Sequence, residues 1–468
     1  MVKFSQFTHV YNVGNAVALY HSLRMKPVYL SREAYESLQL WLASSQCEQI
    51  SDAPETIAAE VAELKKWKIL IQSDEEDDKV LRFVKSHMPK PAINICYFIL
   101  SEQCNLACKY CFLGNNDKKK RHNFSLEKMT TETADKAIEF FIRQMKASGL
   151  DTEDNQAAII FYGGEPMVNY SVLKYVAEKI NYLRSAEKCL KNAELSMVTN
   201  GLLLNEERIL ELRDLGVSIA ISIDGVTEKA NAMRVDVAGN PVFKRILDVL
   251  DKCKALDVNV SLSVTLSEET IKDTQNVLKL IDDYGIKSLG FNIMMSSDTF
   301  VLPRSYNELA AQFIIDEFIE LRERGIYEDR MMRKLKAFTK ASVYFSDCGA
   351  TGGGQIVVSP NGQVGICHGC LFDKKYFVSN INDDNFVAIN DPTFVEWSRL
   401  TPLNNEECYS CPALGICGGG CPINAMYLKP GNTIHSIDER FCVHSKKTLE
   451  FFINDLYRLI NKGNNEDE

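Results

Sequence analysis

Three cysteines crowd one short stretch, Cys104-Asn-Leu-Ala-Cys108-Lys-Tyr-Cys111, and eight more lie between Cys348 and Cys442. Thiolates this close together bind soft metals, either as a tetrahedral zinc site or around iron in an iron-sulfur cluster. A closed zinc site wants a fourth ligand, and near the triad only His122 offers itself. Three thiolates around a 4Fe-4S cube instead leave one iron without a protein ligand, open to a substrate or cofactor, and the spacing favours that chemistry over zinc. Cys47, Cys96, Cys189 and Cys253 stand alone and read as buried small hydrophobes.

The triad directly follows an apolar run at 93–100. From there to about 295, short β-rich runs (157–162, 195–199, 218–223, 259–265, 288–294) alternate with helical patterns (131–146, 172–184, 206–215, 241–256, 271–284). Six β/α units in series demand parallel strands with helices outside, as an open doubly wound sheet or a closed or partial barrel. In each case ligands gather at the carboxyl ends of the strands, where the triad falls. Residues 1–92 read as a separate module, with strands at 8–13, 16–21 and 27–30, helices at 32–43 and 57–66, and an apolar piece at 69–71. Its acidic run 74–78 reads as a solvated loop or linker. Residues 301–345 read as a helical bridge. Beyond 346, Gly-rich turns, a β run at 355–358 and cysteine clusters replace regular hydrophobic patterning, so metal must stand in for a core. A last amphipathic helix at 445–460 precedes a polar tail.

The composition fits this outline. The chain has 468 residues, 46% hydrophobic and 25% charged, which excludes long disorder or a fibrous repeat. Lys plus Arg number 53 against 63 for Asp plus Glu, and the balance of -10 repels phosphate backbones and anionic lipid, so neither nucleic acid nor membrane is expected as a partner. No apolar run approaches the ~20 residues that span a bilayer, and the first twenty residues lack a basic flank followed by an apolar core, so a cytoplasmic location is expected. In a large cytosolic chain clustered cysteines stay reduced and serve metal or redox chemistry.

At Cys104, Cys108, Tyr110 and Cys111 the chain resembles the radical SAM superfamily, whose motif is CxxxCxxC with an aromatic before the last cysteine. Gly163-Gly164-Glu165-Pro166 after the second run is similar to the family's GGE motif. Thr199-Asn200-Gly201 after the third run, and Ser222-Ile223-Asp224-Gly225 after the fourth, fall where the family carries contacts to S-adenosylmethionine (SAM). The resemblance implies a partial (β/α)6 TIM-like barrel over 93–300 and a 4Fe-4S cluster on Cys104, Cys108 and Cys111. It also implies SAM held by Gly163, Gly164, Glu165, Asn200, Ser222, Asp224 and Arg234. The residue types agree: a guanidinium forks onto a carboxylate, an acidic side chain complements an ammonium, and glycines admit close backbone approach. No general acid or base stands out among the many carboxylates.

Cys348, Gly362-x4-Cys367, Cys408-x2-Cys411-x5-Cys417-x3-Cys421 and Cys442 together resemble the seven-cysteine SPASM motif, spanning 346–468. This implies two auxiliary 4Fe-4S clusters, one on Cys408, Cys411, Cys417 and Cys442 and one on Cys348, Cys367 and Cys421, making three in all. Cys370 is additional: it completes the three-cysteine site, or that site keeps an open iron. Residues 1–92 resemble, by element order, the winged-helix-like PqqD module that captures leader peptides by adding a strand to a sheet edge; the alternative is an accessory domain that only packs on the barrel. The resemblances imply a peptide maturase that uses a 5'-deoxyadenosyl radical to form a thioether or carbon-carbon crosslink in a ribosomally made precursor peptide, with flavodoxin or ferredoxin as electron donor. The alternatives are an anaerobic sulfatase-maturing enzyme that makes formylglycine, and a peptide epimerase. A non-catalytic metal scaffold is disfavoured, since an electron carrier has no need of SAM-binding loops.

Overall fold

The computed structural model describes residues 1–45, 47–111, 113, 127–186, 189–295 and 301–466, with side chains up to 461. Three sheets form. In the N-terminal module β1 (Lys3–Phe4) pairs with β5 (Leu70–Ile71), and β2 (Thr8–Val13), β3 (Ala16–His21) and β4 (Pro27–Ser31) make an antiparallel sheet in the order β2-β3-β4. Leu19 and Leu30 on one face of that sheet pack with Leu38, Trp41, Val61 and Leu64 from the helices Arg32–Leu42 and Ala58–Lys66. Val13, Ala18 and Tyr20 join the large core of the rest of the chain instead.

The acidic run at 74–78 is not a linker. It opens the helix Asp74–Ser86, where four carboxylates in the first turn complement the positive end of the helix dipole. Asp77 is buried there and accepts from Ser5 Oγ at 2.5 Å and the Gln6 amide at 2.9 Å.

The third sheet has ten strands and is mostly parallel. β6 (Ile95–Ser101), β7 (Ala157–Gly163), β8 (Ala193–Thr199), β9 (Val217–Ser222), β10 (Ser261–Leu266) and β11 (Ser288–Ile293) lie side by side in chain order, as the alternation of runs predicts. β12 (Tyr327–Glu328) adds to β11, so the bridging segment continues the sheet as well as supplying the helices Tyr306–Glu323 and Asp329–Lys340. On the other edge β13 (Gln355–Val358) pairs in parallel with β6 and leads into β14 (Gln363–Gly365) and β15 (Phe377–Asn380). The sheet ends at β12 and β15 without closing. Along β7, β8 and β10 alternate side chains are fully buried under the helices, while Tyr162, Ser196 and Thr265 on the opposite face are only partly covered. The predicted last helix starts earlier than position 445: it runs Glu439–Glu466 and carries Cys442 in its first turn.

The module and the cysteine-rich region share an interface. Tyr409, between Cys408 and Cys411, receives the Lys85 ammonium on its hydroxyl at 3.0 Å and meets the Phe7 ring at 6.4 Å. A methyl group on Gly415 would stand 2.3 Å from the Ser22 carbonyl oxygen, so only glycine allows the two segments to approach this closely.

One buried group sets a pH dependence. Glu317, on the helix Tyr306–Glu323, is fully enclosed, and neither carboxyl oxygen has a hydrogen-bond partner among the described residues. Burial pushes its pKa from 4.5 up to about 8. The folded chain therefore holds a proton there that the unfolded chain gives up above about 4.5. Stability falls as pH rises from 4.5 to about 8 and levels off above that, by at most ~5 kcal/mol at about 1.4 kcal/mol per unit. In Glu317→Gln this slope is expected to disappear from urea midpoints measured between pH 5 and pH 8; a slope unchanged from the parent protein counts against the assignment.

Candidate functional site

The loop after β6 carries Cys104, Cys108 and Cys111 to the carboxyl edge of the parallel strands, held by β6's neighbours on both sides. The Ala107 and Lys109 amides donate to the Val235 and Met233 carbonyls, which pins the loop to the segment carrying Arg234. Cys104 is accessible to solvent yet surrounded by chain, as for a thiol lining a concave space. Burial pushes its pKa up to about 12 and that of Cys108 to about 11, the second opposed by Arg234. Such thiols stay protonated unless a cation replaces the proton. His122 lies outside the described residues.

Gly163 and Gly164 close the junction between the β7 and β6 loops: a side chain on Gly163 would come within 2.2 Å of the Ser101 carbonyl oxygen, and on Gly164 within 2.5 Å of that of Gln103. Glu165, fully enclosed, uses its carboxylate within the protein. Its Oε1 accepts from the Met167 amide at 3.1 Å and the Thr199 hydroxyl at 2.6 Å, and its Oε2 accepts from the Asn200 amide at 2.8 Å. Glu165 thus ties the β7 loop to the β8 loop. Asn200 in turn donates to Asn105 at 2.8 Å and leans toward the Cys104 sulfur at 4.0 Å.

Asp224 and Arg234 form a buried ion pair at 3.0 Å. The Tyr110 hydroxyl donates to Asp224 at 2.6 Å, and the Thr265 amide at 3.3 Å. Burial pushes the Asp224 carboxyl up against the opposing pull of Arg234; with three donors aimed at its oxygens, the ionised form is the one the geometry supports. The Arg234 guanidinium lies 5.6 Å from the Tyr110 ring centre, and its Nε is buried without a hydrogen-bond partner among the described residues. Ser222 is half-buried at the end of β9, two residues before Asp224.

The other thiols form two further sets. Cys348, Cys367 and Cys421 lie near enough to raise one another's pKa, and Cys370, wholly buried, lies beside Cys367 with its amide donating to the Cys367 carbonyl at 3.1 Å. Cys408, Cys411 and Cys442 form the second set with Cys417; burial pushes Cys408 and Cys442 to about 12. A cavity of about 670 Å³ opens beside Cys408, Cys417 and Cys442. Among the described residues no three Cys, His, Asp or Glu side chains converge closely enough to hold a single metal ion.

Motif reading missed the supports. Asn231 accepts from the Asp224 amide at 2.9 Å and donates to the Gly225 and Thr227 carbonyls, and Thr270 donates to the Asp224 carbonyl at 2.5 Å. Nothing in the residue types singles these out. His368 stacks on Tyr97 with ring centres 4.6 Å apart and meets Tyr162 at a tilt at 4.7 Å, which joins the Cys367–Cys370 turn to β6 and β7. Strand alternation could have put the two tyrosines on one face; nothing local places the histidine against them.

Residues 98–281 match the family model of the Radical SAM superfamily. The radical SAM cyclopropyl synthase TigE of Paramaledivibacter caminithermalis is 22% identical over 379 residues, covering 79% of this chain and 73% of TigE. A cysteine-type anaerobic sulfatase-maturating enzyme of Clostridium perfringens is 23% identical over 397 residues, covering 80% of this chain and 99% of that enzyme. The crystal structure of Streptococcus suis SuiB bound to its precursor peptide SuiA is 14% identical, with a TM-score of 0.53, covering 94% of this chain and 100% of SuiB; SuiB has also been solved with S-adenosylmethionine. No helix among the described residues is long and apolar enough to cross a membrane. The chain therefore carries a radical SAM domain, with the 4Fe-4S cluster and SAM that such a domain implies, and is an enzyme whose relatives modify peptides or proteins.

Proposed function

We propose that this enzyme matures a ribosomally made precursor peptide, binding the leader with residues 1–92 and installing a thioether or carbon-carbon crosslink with residues 93–300 and the cysteine-rich region 346–468. The observation that carries the reading is the cluster of Cys104, Cys108 and Cys111 at the carboxyl end of β6, with Cys108 beside the buried Asp224–Arg234 pair that follows β9. The donor set fits the implied groups: three thiols suit a cluster with one open iron, and the unpartnered Arg234 Nε suits a carboxylate. When bound, the cluster and SAM supply a 5'-deoxyadenosyl radical that removes an unactivated hydrogen.

In this reading Cys104, Cys108 and Cys111 are the ligands, Arg234 and Ser222 orient the SAM carboxylate or ribose, and Asn200 closes the cysteine loop. Gly163, Gly164 and Glu165 fix the floor of the SAM site, Glu165 acting through Thr199 and Asn200. Cys408, Cys411, Cys417 and Cys442 would hold one auxiliary cluster. Cys348, Cys367 and Cys421 would hold the other, and the contact between Cys370 and Cys367 favours Cys370 as its fourth ligand. Three clusters, a flavodoxin or ferredoxin donor and a cytoplasmic setting complete the proposal. A match covering 94% of this chain must include part of residues 1–92, and it is to a protein solved with its precursor peptide, which supports the leader role.

The near-complete coverage of the sulfatase-maturating enzyme favours a second reading, oxidation of a Cys or Ser to formylglycine. Anaerobic co-expression with a short peptide encoded beside this gene separates the two. A crosslink removes two hydrogens per bond, and fragmentation maps both ends. An unmodified peptide, together with formylglycine formed in a sulfatase-derived peptide, would replace the first reading by the second; an unchanged mass with an inverted α-carbon would mean epimerisation.

A further inference from the structure

Lys334, on the helix Asp329–Lys340, is completely buried, and its ammonium donates to the carbonyl oxygens of Ile416 at 3.2 Å and Cys417 at 2.9 Å and to the Ser445 hydroxyl at 3.2 Å. An ammonium can give one N–H to each of these three partners. No carboxylate among the described residues lies within ion-pair reach of it. The nearby Asp347 is already shared by Arg330 at 3.7 Å and Arg333 at 3.8 Å, and Arg333 also takes Asp329 at 2.9 Å. Glu328, buried beside Arg330, adds a third carboxylate to this group, and none of the three pairs with Lys334, whose partners are all neutral. His444, also buried there, contributes no negative charge. An isolated buried charge is expensive, so a missing anion is expected beside it.

The acceptors of Lys334 say where that anion belongs. Cys417 is itself one of the second set of thiols, and Ser445 lies one helical turn after Cys442. Lys446 adds a second positive charge near Cys408, Cys411 and Cys442, with Glu407 the one carboxylate named beside Cys408, whereas the set of Cys348, Cys367 and Cys421 faces Asp347, Asp373 and Asp438. We infer that Lys334 is the internal counter-charge of an iron-sulfur cluster on Cys408, Cys411, Cys417 and Cys442, and that it raises that cluster's reduction potential so that an electron rests there in preference to the other auxiliary site. A cube ligated by four thiolates is anionic and gains one further negative charge on one-electron reduction, so a fixed neighbouring cation stabilises the reduced form more than the oxidised one. This rests on the ligand assignment proposed above.

The test is an anaerobic dithionite titration of the full-length reconstituted protein, followed by electron paramagnetic resonance, with this site's signal identified by its absence in Cys411→Ala. In Lys334→Met its midpoint is expected to move to a more negative potential while the other signals stay; Lys334→Arg, which keeps the charge, is expected to remain near the parent value. An unmoved midpoint in Lys334→Met, or an equal move in Lys334→Arg, overturns the inference. If Lys334→Met fails to retain iron at this site, retention in Lys334→Arg supports the counter-charge role and loss in both overturns it. If Cys411→Ala removes no signal, the ligand assignment itself is wrong and the inference falls with it.

Discussion

Replacing Cys104, Cys108 and Cys111 together by Ala is expected to reduce 5'-deoxyadenosine release from SAM and dithionite to background, more than about 10⁴-fold below the parent protein, given that enzymes commonly accelerate their reactions by 10⁶-fold or more. The three thiols share one loop at the strand ends, and among the described residues the solitary Cys96 and Cys253 are no substitutes, being fully buried. The same variant should keep its fold, because β6 is paired along both edges by β7 and β13 independently of the loop. Chromatography of anaerobic reaction mixtures gives the answer. Deoxyadenosine release persisting in a folded triple variant would remove the proposed cluster from this loop.

The second large effect is on stability. Asp224→Ala leaves the guanidinium of Arg234 and the hydroxyl of Tyr110 buried without their shared acceptor, and breaking a buried pair by removing one partner typically costs about 3–5 kcal/mol. Replacing both charges, as in Asp224→Leu with Arg234→Met, is expected to recover most of that loss, since a buried pair is worth little against an apolar replacement of similar volume. SAM affinity should not recover with it, because the fork that would meet a carboxylate is gone. Urea midpoints and equilibrium SAM binding, measured anaerobically on the same samples, separate the two quantities. A double variant that regains both stability and SAM binding would show that the pair is only a packing element.

The order of the strands was legible because each of β6 to β11 is a short apolar run between longer amphipathic stretches, and the period change from two to 3.6 is a local property of the chain. The errors were local ambiguities settled elsewhere. The run at 74–78 is as polar as a linker, and it becomes a helix because Val80 and Val84 find Phe7, Leu23 and Leu414 to pack against. The two residues Tyr327–Glu328 are too few to announce a strand, and they form one because β11 presents a free edge. Beyond these, the part Glu165 plays between loops was not legible: its oxygens accept from Met167, Thr199 and Asn200, and only the sheet brings the last two beside it.

By itself the sequence determined the chemistry available to this protein: thiols at fixed short spacings, glycines, and an acid and a guanidinium ten residues apart, because metal-ligand spacing and strand periodicity are written in neighbouring residues. Only the tertiary structure decided which of these groups meet. Asp224 finds Tyr110, Tyr97 and Tyr162 find His368, and Lys334 comes to lie against Cys417. Those encounters join residues as many as 271 positions apart, from 97 to 368, and only the register of the sheet and the packing of the core bring such residues together.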